Sequence, residues 1–384
     1  MGNRPRRSGA AADPRAVAAG VLVRVDGGAY LAPALDAALR RSAMDGRDRA
    51  FATTLVYGTL RRRRSCDWLV DTHLQRPVGP AVRAGLRLGA FQLAFLGTPP
   101  HAAVASTVAL VTPRARGLVN AVLRRVAGAL PPAWPDLATE LGYPDWIVEH
   151  LVAELGHDDA LGALEAMNAD RATPARPDGY LQDPASTWVA GLVPADGPGV
   201  VVDLCAGPGG KATAIAGRGA ALVVGVELHR HRALAIQRAA RAPGRGRVGV
   251  VVADGRCPPL RAGTASAVLV DAPCSGLGAL RRRPDARWRI DPAAPSRLAG
   301  LQGELLEAGL GLLRPGGTLV YSACTLTREE TVGIDERLAA GRPDLLALPP
   351  PGPPWRPHGR GALLLPQAAG TDGMYLLAVS LPPG

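Results

Sequence analysis

The pattern of hydrophobic and polar positions changes its period near residue 199. From about residue 14 to 130, apolar residues recur at i, i+3, i+4 and i+7, as in amphipathic helices, and runs such as RPVGP and GTPPH separate them. Beyond residue 199, short β-branched runs such as VVDL, LVVGVEL and SAVLVDAP alternate with helical stretches. The sequence therefore predicts an all-α domain followed by an α/β domain with a doubly wound, Rossmann-like parallel sheet.

These patterns divide the chain into four regions. Residues 1–13, rich in Arg, Gly and Ala, predict a disordered tail, and residues 14–130 predict the helical domain. Residues 131–180 predict a helical linker that ends in a loop. Residues 181–384 predict the α/β domain, whose sheet is closed by the runs around 363–381.

Composition narrows the class of partner. The formal net charge of +11 favours a polyanion, although an arginine-rich coding bias would produce part of the same excess. Arginines concentrate at 61–64 and at 281–283. No apolar run approaches about 18 residues, so we expect no membrane partner. Five cysteines without a CxxC pair argue against a disulfide framework or a metal site, and indicate the reducing cytoplasm.

A glycine-rich run, VVDLCAGPGGKATAIA, follows the first predicted strand and opens a helix near Lys211. Glycines allow a ligand to approach the backbone closely, but a tight turn without a ligand would give the same pattern. Glu227 and Asp254 end the second and third predicted strands. They could accept ribose hydroxyls and an adenine amino group, and each is equally consistent with an ordinary acid at a strand end.

Two cysteines follow the tips of later strands, Cys274 in VLVDAPCSGLG, beside Asp271, and Cys324 in LVYSACTL. Strand tips line the ligand crevice of such sheets, so we expect both thiols in one pocket. A thiolate that adds to C6 of a pyrimidine activates C5 for methylation, and a carboxylate can share a proton with N3. A basic surface and the stacking face of Trp288 are predicted beside the pocket, the basic residues being Arg281, Arg282, Arg283, Arg287 and Arg289.

Taken together, these runs resemble the RsmB/Sun branch of the Nop2/Sun family of RNA cytosine-C5 methyltransferases. DLCAGPGGK, DAPCSGLGALRRRPDARW and YSACTL occur in the order and spacing of the family, and QDPAS and GTDGMYLLAV match flanking motifs. The resemblance covers residues 14–170 and 180–384, and the amino-terminal helices resemble a NusB-type RNA-binding domain. It implies S-adenosylmethionine as the methyl donor and a cytosine of small-subunit (16S) rRNA as the substrate.

The resemblance also implies a role for each site residue. Cys324 would attack the ring, Cys274 would assist product release, Asp271 would contact the cytosine, and Lys211 would lie in the same pocket. The glycine-rich loop would hold the methionine part of the donor, Glu227 the ribose and Asp254 the adenine. The implied cofactor-binding residues are Cys205, Ala206, Gly207, Pro208, Gly209, Gly210, Lys211, Glu227, Asp254 and Asp271.

The sequence departs from the family pattern between Asn168 and Leu181, where a small RNA-contacting subdomain is missing. That loss should leave catalysis intact but weaken or change RNA selection. A methyltransferase of another RNA, such as tRNA, therefore stays open, as does a noncatalytic RNA-binding ribosome-assembly factor. Retention of both thiols and Asp271 argues against the noncatalytic factor. We expect a monomer without a metal.

Overall fold

The computed structural model describes residues 13–383, so the predicted tail at 1–13 lies outside the described residues except for Asp13. The Asp13 carboxylate accepts a hydrogen bond of 2.9 Å from the Arg15 amide and caps the first helix. The chain forms two compact units. One comprises the residues up to Val148 together with 283–289, and the other comprises 149–282 and the chain from Ile290 onwards.

The first unit is helical, as its sequence period predicts. Its fifth helix lies in the middle of the core, and positions 84–93 of that helix are all buried. Neighbouring helices approach this helix so closely that two contact positions require glycine. A Cβ on Gly58, in a neighbouring helix, would overlap the Phe91 ring, and one on Gly89 would overlap Leu123. The helices are α1 Pro14–Asp26, α2 Leu31–Arg41, α3 Gly46–Arg61, α4 Arg63–Asp71, α5 Pro80–Ala94, α6 Pro100–Leu110, α7 Pro113–Gly128, α8 Leu137–Leu141 and α9 Asp145–Leu155, the last continuing into the second unit.

Residues 283–289 belong to this helical unit and form a 3₁₀ helix, Pro284–Trp288. The prediction of a basic surface is wrong for Arg287. Arg287 is fully buried, where its guanidinium lies 3.7 Å from the centroid of the Tyr143 ring and donates to the Arg61 carbonyl at 2.8 Å. Trp288 is half-buried, and the Arg63 guanidinium lies 5.1 Å from its ring centroid. Burial and cation–π pairing thus remove Arg287 from the surface, whereas the stacking role of Trp288 stays a prediction.

The predicted basic run at 61–64 is also largely engaged within the helical unit. Arg61 is buried, and Arg64 forms an ion pair with Asp145 at 2.8 Å. Arg62 donates to the Glu140 carbonyl at 2.8 Å. These arginines hold α4 and its neighbours together, so they do not form the free polyanion-binding surface that their clustering suggested.

The second unit contains a mixed sheet with strand order β3-β2-β1-β4-β5-β9-β8-β7, and β6 pairs with β9. Apolar, β-branched runs form these strands because both faces of a parallel sheet are covered. The strands are β1 Val200–Asp203, β2 Leu222–Glu227, β3 Val248–Val252, β4 Ala265–Asp271, β5 Leu313–Ala323, β6 Leu346–Ala347, β7 Arg356–His358, β8 Gly361–Leu364 and β9 Met374–Ser380.

Helices connect β1 to β2, β2 to β3 and β4 to β5, as in a Rossmann-like fold, while a loop joins β3 to β4, and the α/β fold class is confirmed. The sheet is not wholly parallel, however, because β9 runs antiparallel to β5 and continues the sheet through the antiparallel strands β8 and β7. The helices are α10 His157–Asn168, α11 Pro184–Leu192, α12 Gly210–Ala216, α13 Arg230–Ala240, α14 Ala294–Leu312, α15 Val332–Gly341 and α16 Pro366–Ala369, with a 3₁₀ turn at Arg328–Glu330.

The strand register brings the chemistry-bearing residues to one edge of the sheet. Asp203, at the end of β1, pairs with Leu269 on β4, and Asp271, at the end of β4, pairs with Ser322 on β5. Because parallel strands end at the same edge, the loops that follow β1, β4 and β5 are neighbours. Among the helices of residues 13–383, none is both long and apolar enough to cross a membrane.

Candidate active site

The two predicted site cysteines meet beyond the tips of β4 and β5. Their sulfur atoms lie 3.3 Å apart, although 50 positions separate the residues in sequence. Both thiols are partly buried and unoxidised. A hydrogen bond between the two sulfurs raises the pKa of Cys274 well above its usual value, and burial adds to the shift. Cys274 is therefore held as a neutral thiol beside Cys324.

Lys211 and Asp271 form an ion pair in the same pocket. The Lys211 Nζ lies 2.7 Å from Asp271 Oδ2 and 3.3 Å from the hydroxyl of Ser186, while Ser322 donates to Asp271 Oδ1 at 2.8 Å. Burial lowers the pKa of Lys211, but Asp271 outweighs it, and the pKa is raised overall. Cys324 also contributes to that rise, so the ammonium lies within electrostatic reach of the Cys324 sulfur.

The glycine-rich loop wraps around Glu227. One carboxylate oxygen of Glu227 accepts from the Gly207 amide at 3.1 Å, and the other accepts from the His229 amide at 2.9 Å. A Cβ at Gly207 would overlap this carboxylate, so the close approach requires glycine. A carboxylate offers about four acceptor positions, and backbone amides use two of these. Arg232 Nε also lies 3.5 Å from the oxygen that accepts from Gly207, so a ribose diol, which the sequence predicts at this carboxylate, would share it with Arg232.

Asp254 lies where the sequence predicts it, just after β3, but its carboxylate already has a partner. Arg256 binds it through the backbone amide at 2.9 Å and through the guanidinium at 2.7 Å. These hydrogen bonds lower the pKa of Asp254. An adenine amino group at this position would have to share the carboxylate with Arg256, a competition that the sequence pattern did not reveal.

Two predicted surface arginines are instead structural. Arg281 is buried and forms an ion pair with Asp183 at 2.8 Å, while Arg282 pairs with the buried Asp372. Asp183 lies in the QDPAS run and Asp372 in the GTDGM run, so the two flanking motifs meet around these arginines. The prediction of a basic surface from this cluster is therefore wrong for Arg281. Arg283 and Arg289 are exposed.

Residues 171–182 form a loop that supports the glycine-rich region. Arg176 donates to the Gly210 carbonyl at 2.5 Å and to the Thr213 hydroxyl at 3.1 Å. The guanidinium groups of Arg176 and Arg245 both lie over the Tyr180 ring, at 4.8 and 5.0 Å from its centroid. This loop therefore anchors the start of α12, a role that its polar, proline-containing sequence did not predict.

Sequence reasoning missed several buried polar groups of the site. Ser186 and Ser322 orient the ion pair, and Asp203 lies beneath it with a pKa raised to about 7, first by burial and then by the charge of Asp271. Glu330 is a fully buried carboxylate behind the cysteine loops. The only sequence signal was their place in the QDPAS, VVDL and YSACTLTREE runs. Separately, ligand atoms of His150, Glu154 and Glu329 lie within 4.8 Å of one another, but acidic clusters of this kind are common without an ion.

The family of the chain is shown by its similarity to known proteins. A family model described as 16S rRNA methyltransferase RsmB/F matches residues 190–380, and one described as the NusB family matches residues 12–128. Ribosomal RNA small subunit methyltransferase B of Thermus thermophilus is 40% identical, with 95% of this chain and 97% of that protein covered. The chain belongs to the RsmB/F family of methyltransferases. The predicted family is thereby confirmed, and the activity class is S-adenosylmethionine-dependent methylation of RNA.

Other relatives span the same length. Ribosomal RNA small subunit methyltransferase B of Erwinia tasmaniensis is 32% identical over 94% of this chain and 97% of its own. Among solved structures, that of PH0851 superposes with a TM-score of 0.76 at 19% identity, covering 96% of this chain and 99% of its own. A methyltransferase homologue from Pyrococcus horikoshii gives a TM-score of 0.52 at 21% identity over 64% of this chain and 97% of its own. At such identities these structures support the fold alone.

Proposed function

We propose that this RsmB/F methyltransferase transfers a methyl group to C5 of a cytosine in 16S rRNA through a covalent adduct with Cys324. The observation that carries the proposal is the pair of thiols 3.3 Å apart beside the Lys211–Asp271 ion pair. Full-length relatives named for methylation of small-subunit rRNA support the choice of RNA. S-adenosylmethionine, when bound, supplies the electrophilic methyl group.

The environment of the thiols supports Cys324 as the nucleophile. Cys274 is held as a neutral thiol chiefly by its hydrogen bond to Cys324, so it can donate that hydrogen bond to a Cys324 thiolate. The Lys211 ammonium favours the same anion. We propose that the Cys324 thiolate adds to C6, and that the electron pair thereby placed at C5 takes the methyl group. Asp271 would lie against N3 of the ring.

Product release then needs a base for the C5 proton. Once the Cys324 sulfur is bonded to carbon, it no longer carries the charge that raises the pKa of Cys274. Loss of this interaction would let Cys274 release its proton to solvent. The Cys274 thiolate would then take the C5 proton, the C5–H electron pair would re-form the C5–C6 double bond, and the C6–sulfur bond would break to release the Cys324 thiolate. The Cys274–Cys324 contact therefore supports different roles for two residues of the same type.

The donor would be held by the glycine-rich loop and Glu227. The proposed contacts are the backbone of residues 205–210 to the methionine part, Glu227 to the ribose and Asp254 to the adenine. The buried, amide-bound carboxylate of Glu227 and the close approach at Gly207 support this assignment. We expect this chemistry to take place in the cytoplasm.

The arginines at 61–64 and 281–282 already bind other groups of the protein, so we look for the RNA-binding surface elsewhere. Helix α7 offers a better candidate, since it exposes Arg114, Arg124 and Arg125 on one face. Within the described chain, Arg114 and Arg125 have no ion-pair partner, and Arg124 contacts only Asn120, at 3.2 Å. We propose that this face binds RNA phosphates.

The test of the proposed function is methyl transfer from labelled S-adenosylmethionine to deproteinised small-subunit rRNA, followed by nucleoside analysis. We expect 5-methylcytosine with the wild-type protein and none with Cys324→Ala. Label in another nucleoside would overturn the C5 assignment. Label in tRNA but not in rRNA would transfer the proposal to that RNA, in line with the shortened segment at 168–181.

A further inference from the structure

Glu330 lies between the two loops that carry the cysteines. Its Oε1 accepts from the Ser275 amide at 2.8 Å, and its Oε2 accepts from the hydroxyls of Thr325 and Thr327, each at 3.0 Å. The Ser275 hydroxyl also donates to Oε2. Ser275 directly follows Cys274, and Thr325 directly follows Cys324. One carboxylate therefore binds the residue next to each thiol.

Gln302, on α14, completes this arrangement. Its amide group donates to Glu330 Oε1 at 3.0 Å and to the Pro273 carbonyl at 2.9 Å. Cys274 is thus held on both sides, through the residue before it and the residue after it. The Tyr321 hydroxyl lies 3.0 Å from the Gln302 carbonyl oxygen and fixes the orientation of the amide.

Because Glu330 is buried, the loss of any of these hydrogen bonds would be energetically costly. The Glu330 side chain has no exposed surface, and no Lys or Arg of the described chain forms an ion pair with it. A buried carboxylate without a counter-charge is costly unless hydrogen bonds satisfy it, and five donors do so here. Moving either cysteine loop would leave part of that buried charge unsatisfied. The separation of the loops is therefore tied to the position of Glu330.

We propose that Glu330 is a positioning residue that sets the separation of the Cys274 and Cys324 sulfurs. The relevance to catalysis rests on the proposed function, whereas the link between Glu330 and the sulfur–sulfur distance does not. Glu330 also places a negative charge near Cys274. That charge, after the Cys324 hydrogen bond and burial, helps to raise the Cys274 pKa and so keeps this thiol protonated.

The distance is tested by oxidation without RNA or methyl donor. Diamide, a diazene, takes two electrons and two protons from a pair of close thiols, leaving a disulfide and the corresponding hydrazine. Mass spectrometry of the peptides measures the rate at which the Cys274–Cys324 disulfide forms. We expect Glu330→Ala to react at least tenfold more slowly than wild type, and Glu330→Gln to retain an intermediate rate because its carbonyl still accepts from Ser275.

The matched control is Asp335→Asn. Asp335 is another buried carboxylate of the same unit, but it pairs with Arg360 at 2.7 Å and contacts neither cysteine loop. In this variant the Cys274–Cys324 disulfide should form at the wild-type rate even if the thermal stability of the protein falls. A wild-type rate in folded Glu330→Ala would overturn the proposal. If Glu330→Ala does not fold, Ser275→Ala/Thr327→Val removes two donor side chains and should also slow oxidation; an unchanged rate would again overturn it.

A second measurement tests the electrostatic effect of the Glu330 carboxylate on Cys274. Glu330→Gln should shift the pH dependence of Cys274 alkylation towards lower pH, whereas a purely structural effect would leave the profile in place. An unshifted profile would overturn the electrostatic role. In the methyl-transfer assay, Glu330→Gln should lower kcat with unchanged donor affinity. If the wild-type protein transfers no methyl group, the proposed function fails while the oxidation result still decides the role of Glu330.

Discussion

The sulfur atoms of Cys274 and Cys324 lie 3.3 Å apart, and the hydrogen bond between them is the main reason why the pKa of Cys274 is raised. The contact therefore favours the neutral thiol at Cys274, in contrast to the thiolate that we propose at Cys324. This difference separates the proposed nucleophile from the proposed group for product release, and it has consequences that can be measured in the protein alone.

The first consequence concerns thiol reactivity. Only thiolates react quickly with iodoacetamide, and burial raises the pKa of Cys66 and Cys205, as the sulfur contact does for Cys274. We expect the exposed Cys257 to be alkylated at least tenfold faster than these three at pH 7.5. Mass spectrometry of the native protein gives the rates, with denatured protein as the control. Alkylation of Cys274 as fast as that of Cys257 would contradict the raised pKa.

The second prediction concerns the donor loop. Gly207→Ala should weaken S-adenosylmethionine binding at least tenfold, because its Cβ would displace the Glu227 carboxylate. Isothermal titration calorimetry measures the dissociation constant. Gly191→Ala is the matched control, since a Cβ there meets nothing within 4 Å. Equal affinity in the two variants would show that the Gly207–Glu227 contact does not shape the donor site.

The third prediction uses Asp203, whose pKa of about 7 in the folded protein lies above the value near 4 of an unfolded chain. The folded state therefore holds a proton that the unfolded state loses first, and stability from this group is complete below about pH 4. This contribution of Asp203 to stability declines as the pH rises from about 4 to about 7. Each pKa unit corresponds to about 1.4 kcal/mol, so Asp203→Asn should gain up to roughly 4 kcal/mol relative to wild type across this interval.

Urea denaturation at several pH values between 4 and 8 measures this difference. The exposed Asp196→Asn, a carboxylate without an ion-pair partner in the described chain, serves as the control and should show a difference from wild type that does not vary with pH over most of this range. A constant difference for Asp203→Asn as well would mean that Asp203 is ionised in the folded protein throughout the range.

The fourth prediction concerns α7. Replacing Arg114, Arg124 and Arg125 with Ala should weaken RNA binding and reduce the slope of log K against log salt by roughly 2 to 3, about one per lost phosphate contact. Fluorescence anisotropy with an rRNA fragment measures both quantities. The matched control is Arg40→Ala, an exposed arginine that pairs with Asp36 four residues away. An unchanged slope in the triple variant would place the RNA surface elsewhere.

The sequence was sufficient to predict the fold class, the family and the meeting of residues at the strand tips. Cys274, Cys324 and Asp271 could be placed together because each lies at or just after a β-branched run, and parallel strands end at one edge of the sheet. The place of Lys211 in the same pocket came from the family resemblance alone. The period change near residue 199 likewise predicted a helical region followed by an α/β region. These inferences depend on local patterns and on one rule of sheet topology.

Contacts between distant segments could not be predicted in this way. Arg281 lies in a polar, arginine-rich run typical of a surface, and its burial depends on Asp183, 98 positions away. Arg287 is buried because residues 283–289 join the helical unit, and no periodic pattern marks so short a segment. The role of Glu330 was hidden for the same reason, since its donors come from Ser275, Gln302 and the residues after Cys324.

The most direct test of the account is whether a covalent protein–RNA adduct forms through Cys324. Cys274→Ala, incubated with substrate RNA and S-adenosylmethionine, should accumulate an adduct that survives a denaturing gel, because attack proceeds while release is blocked. The Cys274→Ala/Cys324→Ala protein should give none. An adduct that persists without Cys324, or no adduct from Cys274→Ala despite methyl transfer by the wild type, would contradict the proposed roles of the two thiols.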